Sequence, residues 1–135
     1  MHEILQTLSI GDRLVRDKGI LTKHHGIFAG YHNGQYLVGE NNTPHGVRYV
    51  TYSEFLDGNN LVRVERMNFT RYEQNRVIEE MNKRLGWSYS FLNYNCESFV
   101  NDVYTGVAKS SQVQTGVIAT LFIAAIALLG SANNR

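Results

Sequence analysis

Cys96 is the chain's single cysteine, and it stands in Asn95-Cys96-Glu97-Ser98-Phe99-Val100, where a turn-prone stretch gives way to an amphipathic helix. A thiol there is suited to nucleophilic work. The unpaired first-turn N–H groups of a helix and the positive end of its dipole favour the thiolate, the form that attacks carbonyl carbon. That chemistry needs a base, and candidates lie far upstream in Lys23-His24-His25-Gly26-Ile27-Phe28, so the base precedes the nucleophile along the chain. Adjacent residues of a strand point to opposite faces, so at most one of His24 and His25 can face Cys96. Taken singly, a cysteine on an apolar helix face is more often a packed small side chain than a nucleophile.

The elements that must position these groups read as strands first and helices after. Gly11 to Val15, His25 to Tyr31, Tyr36-Leu37-Val38, Val47 to Val50 and Leu61 to Arg66 are short β-prone runs separated by Asn and Gly clusters, which predicts a mostly antiparallel meander of about five strands. His32-Asn33-Gly34 supplies a hairpin turn. Thr51-Tyr52-Ser53-Glu54 and Thr70-Arg71-Tyr72-Glu73 both have capping-box spacing. The first predicts one helical turn through Phe55 and Leu56. The second predicts a longer helix with Val77, Ile78, Met81 and Leu85 on one face, stopped by Gly86. The next helix is expected from Asn93 or Asn95 to Val103 or Tyr104, with Cys96, Phe99, Val100 and Val103 on its packed face.

With 135 residues, thirteen Lys and Arg against twelve Asp and Glu, and a net charge of +1, the chain has the size of one domain and lacks the dense basic stripe of a nucleic-acid binder. A single cysteine excludes an intramolecular disulfide and a multi-thiolate zinc cage, and suits a reducing compartment. The histidines His24, His25, His32 and His45 lack metal-ligand spacing, so neither metal nor cofactor is expected. The first residues, Met1 to Gln6, lack the features of a secretory signal. Residues 110 to 134 carry no charged side chain. As a helix, Val113 to Gly130 would span about 27 Å, close to the roughly 30 Å hydrocarbon core of a bilayer. The expected organisation is a catalytic domain over 1–109 and, over 110–135, a hydrophobic tail forming a single-pass C-terminal membrane anchor.

Thr22 to Gly30 followed by Asn95 to Val100 resembles the two signature segments of the lecithin:retinol acyltransferase family. Gly11-Asp12 resembles that family's opening motif. Gly106 to Val113 resembles the segment leading its phospholipase/acyltransferase members into their anchor, and the likeness covers about residues 11 to 130. The resemblance implies an α+β, circularly permuted papain-like fold of the NlpC type, with an antiparallel sheet packed against the Cys-bearing helix and a C-terminal hydrophobic helix. It makes Cys96 the nucleophile and His24 the base, leaving His25 as a variable neighbour. Where related enzymes place a second histidine this chain has Glu40, which is taken as the third catalytic residue, with Asn42 and His45 as alternatives. Ser98 replaces another family histidine, with an effect expected on local hydrogen bonding.

The implied activity is acyl transfer or hydrolysis on a membrane phospholipid through a Cys96 thioester, with the oxyanion held by backbone near Cys96 and the catalytic domain on the cytoplasmic side. Two other classes stay open: an NlpC-type cysteine peptidase or amidase, and a non-catalytic membrane-associated protein.

Overall fold

Alternating burial along the β-prone runs produces one antiparallel five-stranded sheet in the order β4-β3-β2-β1-β5, seen in a computed structural model that describes residues 2–111. The strands are β1 Arg13–Lys18, β2 Thr22–His32, β3 Gln35–Asn42, β4 Gly46–Thr51 and β5 Leu61–Glu65. The first four form the expected meander, and β5 returns to the free edge of β1. The helices are α1 His2–Thr7, α2 Tyr52–Leu56, α3 Arg71–Arg84 and α4 Cys96–Thr105. No sequence signal announced α1. The expected C-terminal anchor lies, from residue 112 onward, outside the described residues, and among those described no helix is long and apolar enough to cross a membrane.

Both expected capping boxes form. The Thr51 hydroxyl accepts from the Glu54 N–H while the Glu54 carboxylate accepts from the Thr51 N–H, and Thr70 and Glu73 repeat the arrangement at the start of α3. Helix α3 stops at Arg84. Leu85 is therefore a partly exposed cap residue, not a fourth member of the apolar face, and Gly86 follows with the positive φ that glycine tolerates.

The period-2 pleat of β2 divides the core in two. Phe28 and, across the strands, Leu14 and Val38 pack on Leu5 of α1 and on Val50, Tyr52 and Phe55. Ile27 and Ala29 point the other way, onto Val77 and Met81 of α3 and Phe99, Val100 and Val103 of α4. The sheet is thus covered on both faces, and α4 lies on the second. Gly26 sits at a tight crossing: a Cβ there would lie 2.7 Å from Phe55 Cε2 and 2.7 Å from Val38 Cγ1, so only hydrogen fits.

A polar clamp fixes α4 against α3. Asp102 Oδ2 accepts from Arg84 Nε at 2.6 Å and from the Tyr94 hydroxyl at 2.7 Å, while Arg84 Nη1 also reaches the Glu80 carbonyl and carboxylate, both at 2.7 Å. Burial opposes the Asp102 charge, yet these donors hold its pKa below the usual carboxylate value. Removing the carboxylate leaves Arg84 Nε and the Tyr94 hydroxyl without their acceptor and, among the described residues, Glu80 as the one carboxylate still paired with Arg84. Asp102→Ala is therefore expected to lower unfolding free energy by about 3 kcal/mol in urea titrations, with the m-value unchanged.

Candidate active site

Cys96 is the first residue of α4, and the cap before it is reciprocal. Asn95 Oδ1 accepts from the Ser98 N–H at 2.9 Å and from the Ser98 hydroxyl at 2.8 Å, while Ser98 Oγ accepts from the Asn95 N–H at 2.8 Å. Ser98, read from sequence as a departure with local consequences, completes the cap. Asn41 secures the approach from the sheet, its Nδ2 donating to the Tyr94 carbonyl at 2.8 Å and the Asn95 carbonyl at 3.5 Å. The thiol is thus carried by a helix end tied both to itself and to β3.

His24 is completely buried and Glu40 is 1% exposed. His24 Nε2 donates to Glu40 Oε1 at 2.9 Å, which sets the tautomer, since an ionised carboxylate only accepts. Arg48 Nε donates to the other carboxylate oxygen at 3.1 Å from the facing position on β4. Burial opposes the Glu40 charge, but the His24 and Arg48 hydrogen bonds outweigh it and keep the carboxyl pKa below its ordinary value. The His24 ring also stacks at 5.3 Å on Phe55, and its Nδ1 has no hydrogen-bond partner among the described residues.

The two histidines divide as the pleat requires. His25 faces α4, where its Nδ1 accepts from Arg13 Nε at 3.0 Å, and Arg13 Nη1 reaches Asn101 of α4. Desolvation, then the Arg13 charge, drives the His25 pKa down to about 4. His24 faces Phe55 on the opposite side. Because α4 packs on the His25 face, Cys96 Sγ meets β2 at its backbone and donates to the Lys23 carbonyl, the group just before His24, at 3.7 Å. The hydrogen bond that the thiol makes is thus to a backbone carbonyl and not to either imidazole.

Burial pushes the Cys96 thiol pKa up, outweighing the N–H groups of His25 and Glu97 that favour the thiolate, and burial likewise pushes His24 below the ordinary histidine value. Both shifts favour a neutral thiol and a neutral imidazole over the thiolate that the helix end alone would favour.

The alternatives for the third residue lie elsewhere. Asn42 Oδ1 accepts from Lys18 Nζ at 3.4 Å, and His45 is exposed in the β3–β4 turn, where both line a polar depression with Arg48, Glu54 and Asp57. Two residues that hold the site escaped the sequence reading. Arg48 was legible as the cross-strand partner of Glu40 once the turn between them was placed. Asn41 carried no signal of its own. Cys96 forms part of a cleft of about 120 Å³, lined also by Lys18, Thr22, Lys23, Tyr89, Phe91 and Asn95. The described residues contain no cluster suited to hold a metal ion.

A thiol at a capped helix N-terminus, preceded in the chain by a buried histidine–carboxylate pair on an antiparallel sheet, defines a cysteine enzyme of permuted papain-like architecture. The family of permuted papain-like amidases, the YaeF/YiiX or C92 family, matches residues 10–122, and the chain belongs to it. No curated protein and no solved structure matches the chain. The expected likeness to the lecithin:retinol acyltransferase family is met at the coarser level of the permuted papain-like superfamily, and the amidase branch is the one that matches.

Two measurements follow from the charge states. Iodoacetamide alkylation of Cys96 should be slow at pH 7 and climb only above pH 9, the thiol's ordinary value here, because the shift is upward; a rate plateau near neutrality would contradict this. For His25 the folded pKa lies below the unfolded value of 6.5, so the unfolded chain binds more protons between the two. The stabilisation is complete above pH 6.5 and is lost as pH falls toward about 4. Unfolding titrations across that window should show the loss, and His25→Gln should flatten the slope.

Proposed function

We propose that this protein is a cysteine-dependent hydrolase of amide bonds, with Cys96 as nucleophile, His24 as general base and acid, and Glu40 as the carboxylate that orients the imidazole. The observation that carries the reading is the Arg48–Glu40–His24 chain, buried at Glu40 and His24, which occupies one ring nitrogen and leaves Nδ1 for proton transfer beside the strand that Cys96 touches. Membership of the amidase family supports the choice of bond.

In this mechanism Cys96 swings from the Lys23 carbonyl toward His24, Sγ attacks the amide carbon, and Nδ1 accepts the thiol proton as the S–C bond forms. Backbone N–H groups at the α4 N-terminus hold the oxyanion. The imidazolium, stabilised by Glu40, returns its proton to the leaving amine as the C–N bond breaks. Water then hydrolyses the thioester with His24 again acting as base. General-base activation suits a pair that is neutral at rest.

A second reading keeps the thioester and changes the donor: acyl transfer or hydrolysis on a membrane phospholipid ester, by a catalytic domain anchored through residues 110–135 and facing the cytoplasm. The exposed apolar residues Phe91 and Leu92 beside the cleft favour it. Intact-mass analysis after incubation with paired amides and esters of one acyl group separates the two. A single acyl adduct from the amide, lost in Cys96→Ala, supports the amidase; an adduct from the ester alone supports acyl transfer; no adduct from either sinks both.

Glu40→Gln keeps the shape but removes the charge that stabilises the imidazolium, and should lower kcat on the order of 100-fold with a smaller change in KM. Asn42→Ala and His45→Ala, outside the buried chain, should each change kcat less than about threefold by the same assay.

A further inference from the structure

The residues around the Cys96 cleft have an unusual distribution of apolar surface. Ile20 and Leu21, in the turn between β1 and β2, are 97% and 92% exposed, and Phe91 and Leu92, in the loop before α4, are 57% and 67% exposed. These two tips flank one opening: the cleft is lined by Lys18, Thr22 and Lys23 on either side of the first turn and by Tyr89 and Phe91 of the second loop. Nothing in the described fold covers them. Four large apolar side chains at such exposure, gathered around one opening, mark a surface suited to an apolar phase.

The charges at the same opening identify that phase. Lys18 Nζ lies 5.5 Å above the Tyr89 ring, and Lys23 pairs with Asp17, so two cations stand against one carboxylate at the rim. Long cationic side chains beside protruding apolar ones match the headgroup boundary of an anionic bilayer, where the chains enter the hydrocarbon edge and the ammonium groups stay among phosphates.

A third observation is independent of both. Glu97, the residue after Cys96, accepts from the Ser110 hydroxyl at 3.1 Å and from the Ser111 N–H and hydroxyl at 3.0 and 2.6 Å. The start of the uncharged stretch 110–134 is thus tied to the end of α4 that carries the thiol, and the sequence continues from there with the Val, Ile, Leu, Phe and Ala of residues 113–130.

We propose that the mouth of the Cys96 cleft is a bilayer-docking face: Ile20–Leu21 and Phe91–Leu92 enter the interface of an anionic membrane, and the cleft opens toward the lipid. Substrates would then be amphiphilic, an acyl amide or ester held in the membrane by its chain. That last step rests on the thiol-hydrolase reading; the docking does not.

The test needs no activity. Cys96→Ala removes the sole thiol of the full chain, so single cysteines introduced as Leu21→Cys, Leu92→Cys and Gln35→Cys can each carry an environment-sensitive nitrobenzoxadiazole label. Gln35 is exposed at the far end of the β2–β3 hairpin, about 30 Å from the first turn by strand rise. Vesicles of phosphatidylcholine with 30% phosphatidylglycerol should blue-shift and raise the emission of labels at 21 and 92 several-fold and leave the label at 35 unchanged. Pure phosphatidylcholine should give a smaller response.

Three results would overturn the proposal. These are solvent-like emission at 21 and 92 with both vesicle types, an equal response at 35, or a response that appears without vesicles and grows with protein concentration, which marks self-association. Failure of the acyl-adduct experiment alongside a positive label response would remove the hydrolase reading and leave the docking face standing.

Discussion

The carboxylate of Glu40, sealed between two strands, is the constraint from which the rest of the site follows. An isolated buried carboxylate costs several kcal/mol in lost hydration, so its presence in the sheet demands donors on both oxygens. The fold provides one from each neighbouring strand, His24 on β2 and Arg48 on β4. Meeting that demand fixes the register of three strands together. It also settles which His24 nitrogen carries the proton, and leaves Nδ1 as the ring's open acceptor. Charge placement and strand register are here one fact seen from two sides.

The thiol is held by a different logic. Among the described residues no charged side chain is hydrogen-bonded to Cys96. Its position comes from Asn95 and Ser98 exchanging hydrogen bonds around the helix end, from Asn41 gripping the two carbonyls before it, and from the Asp102 clamp that locks Tyr94 and α3 to α4. His24 is fixed by the sheet and the thiol by the helix, so the candidate site lies on the seam between them. With His24 directed to one face of β2 and α4 packed on the other, the thiol comes to rest on the strand's backbone.

The sequence disclosed those parts that depend on local pattern. Alternating β-branched and aromatic runs marked all five strands to within a few residues, and the Thr51–Glu54 and Thr70–Glu73 spacings marked both caps, because these signals act within a single turn or pleat. The Cys96–Phe99–Val100–Val103 stripe was equally plain. What the sequence withheld was long-range. That Glu40 draws Arg48, that Asn41 holds the loop before α4, and that burial disfavours charge on both thiol and imidazole all depend on which surfaces meet. The helix α1 was missed because six residues with no cap signature look like any polar terminus. The resemblance that ordered His24 before Cys96 indicated the architecture and pointed to the neighbouring lipid-acting family instead of the amidases.

The histidine doublet makes β2 ambiguous in a way that Gly26 resolves. A slip of one residue would exchange the faces of the whole strand, presenting His25 to Glu40 and sending His24 toward α4, a mispairing that the two identical side chains would do little to discourage. The space between Phe55 and Val38 admits a residue with no side chain, and in the slipped arrangement it would receive His25 or Ile27. A glycine with no chemistry of its own thereby acts as the proofreading element of the sheet, deciding which of two equal imidazoles becomes the one beside the carboxylate.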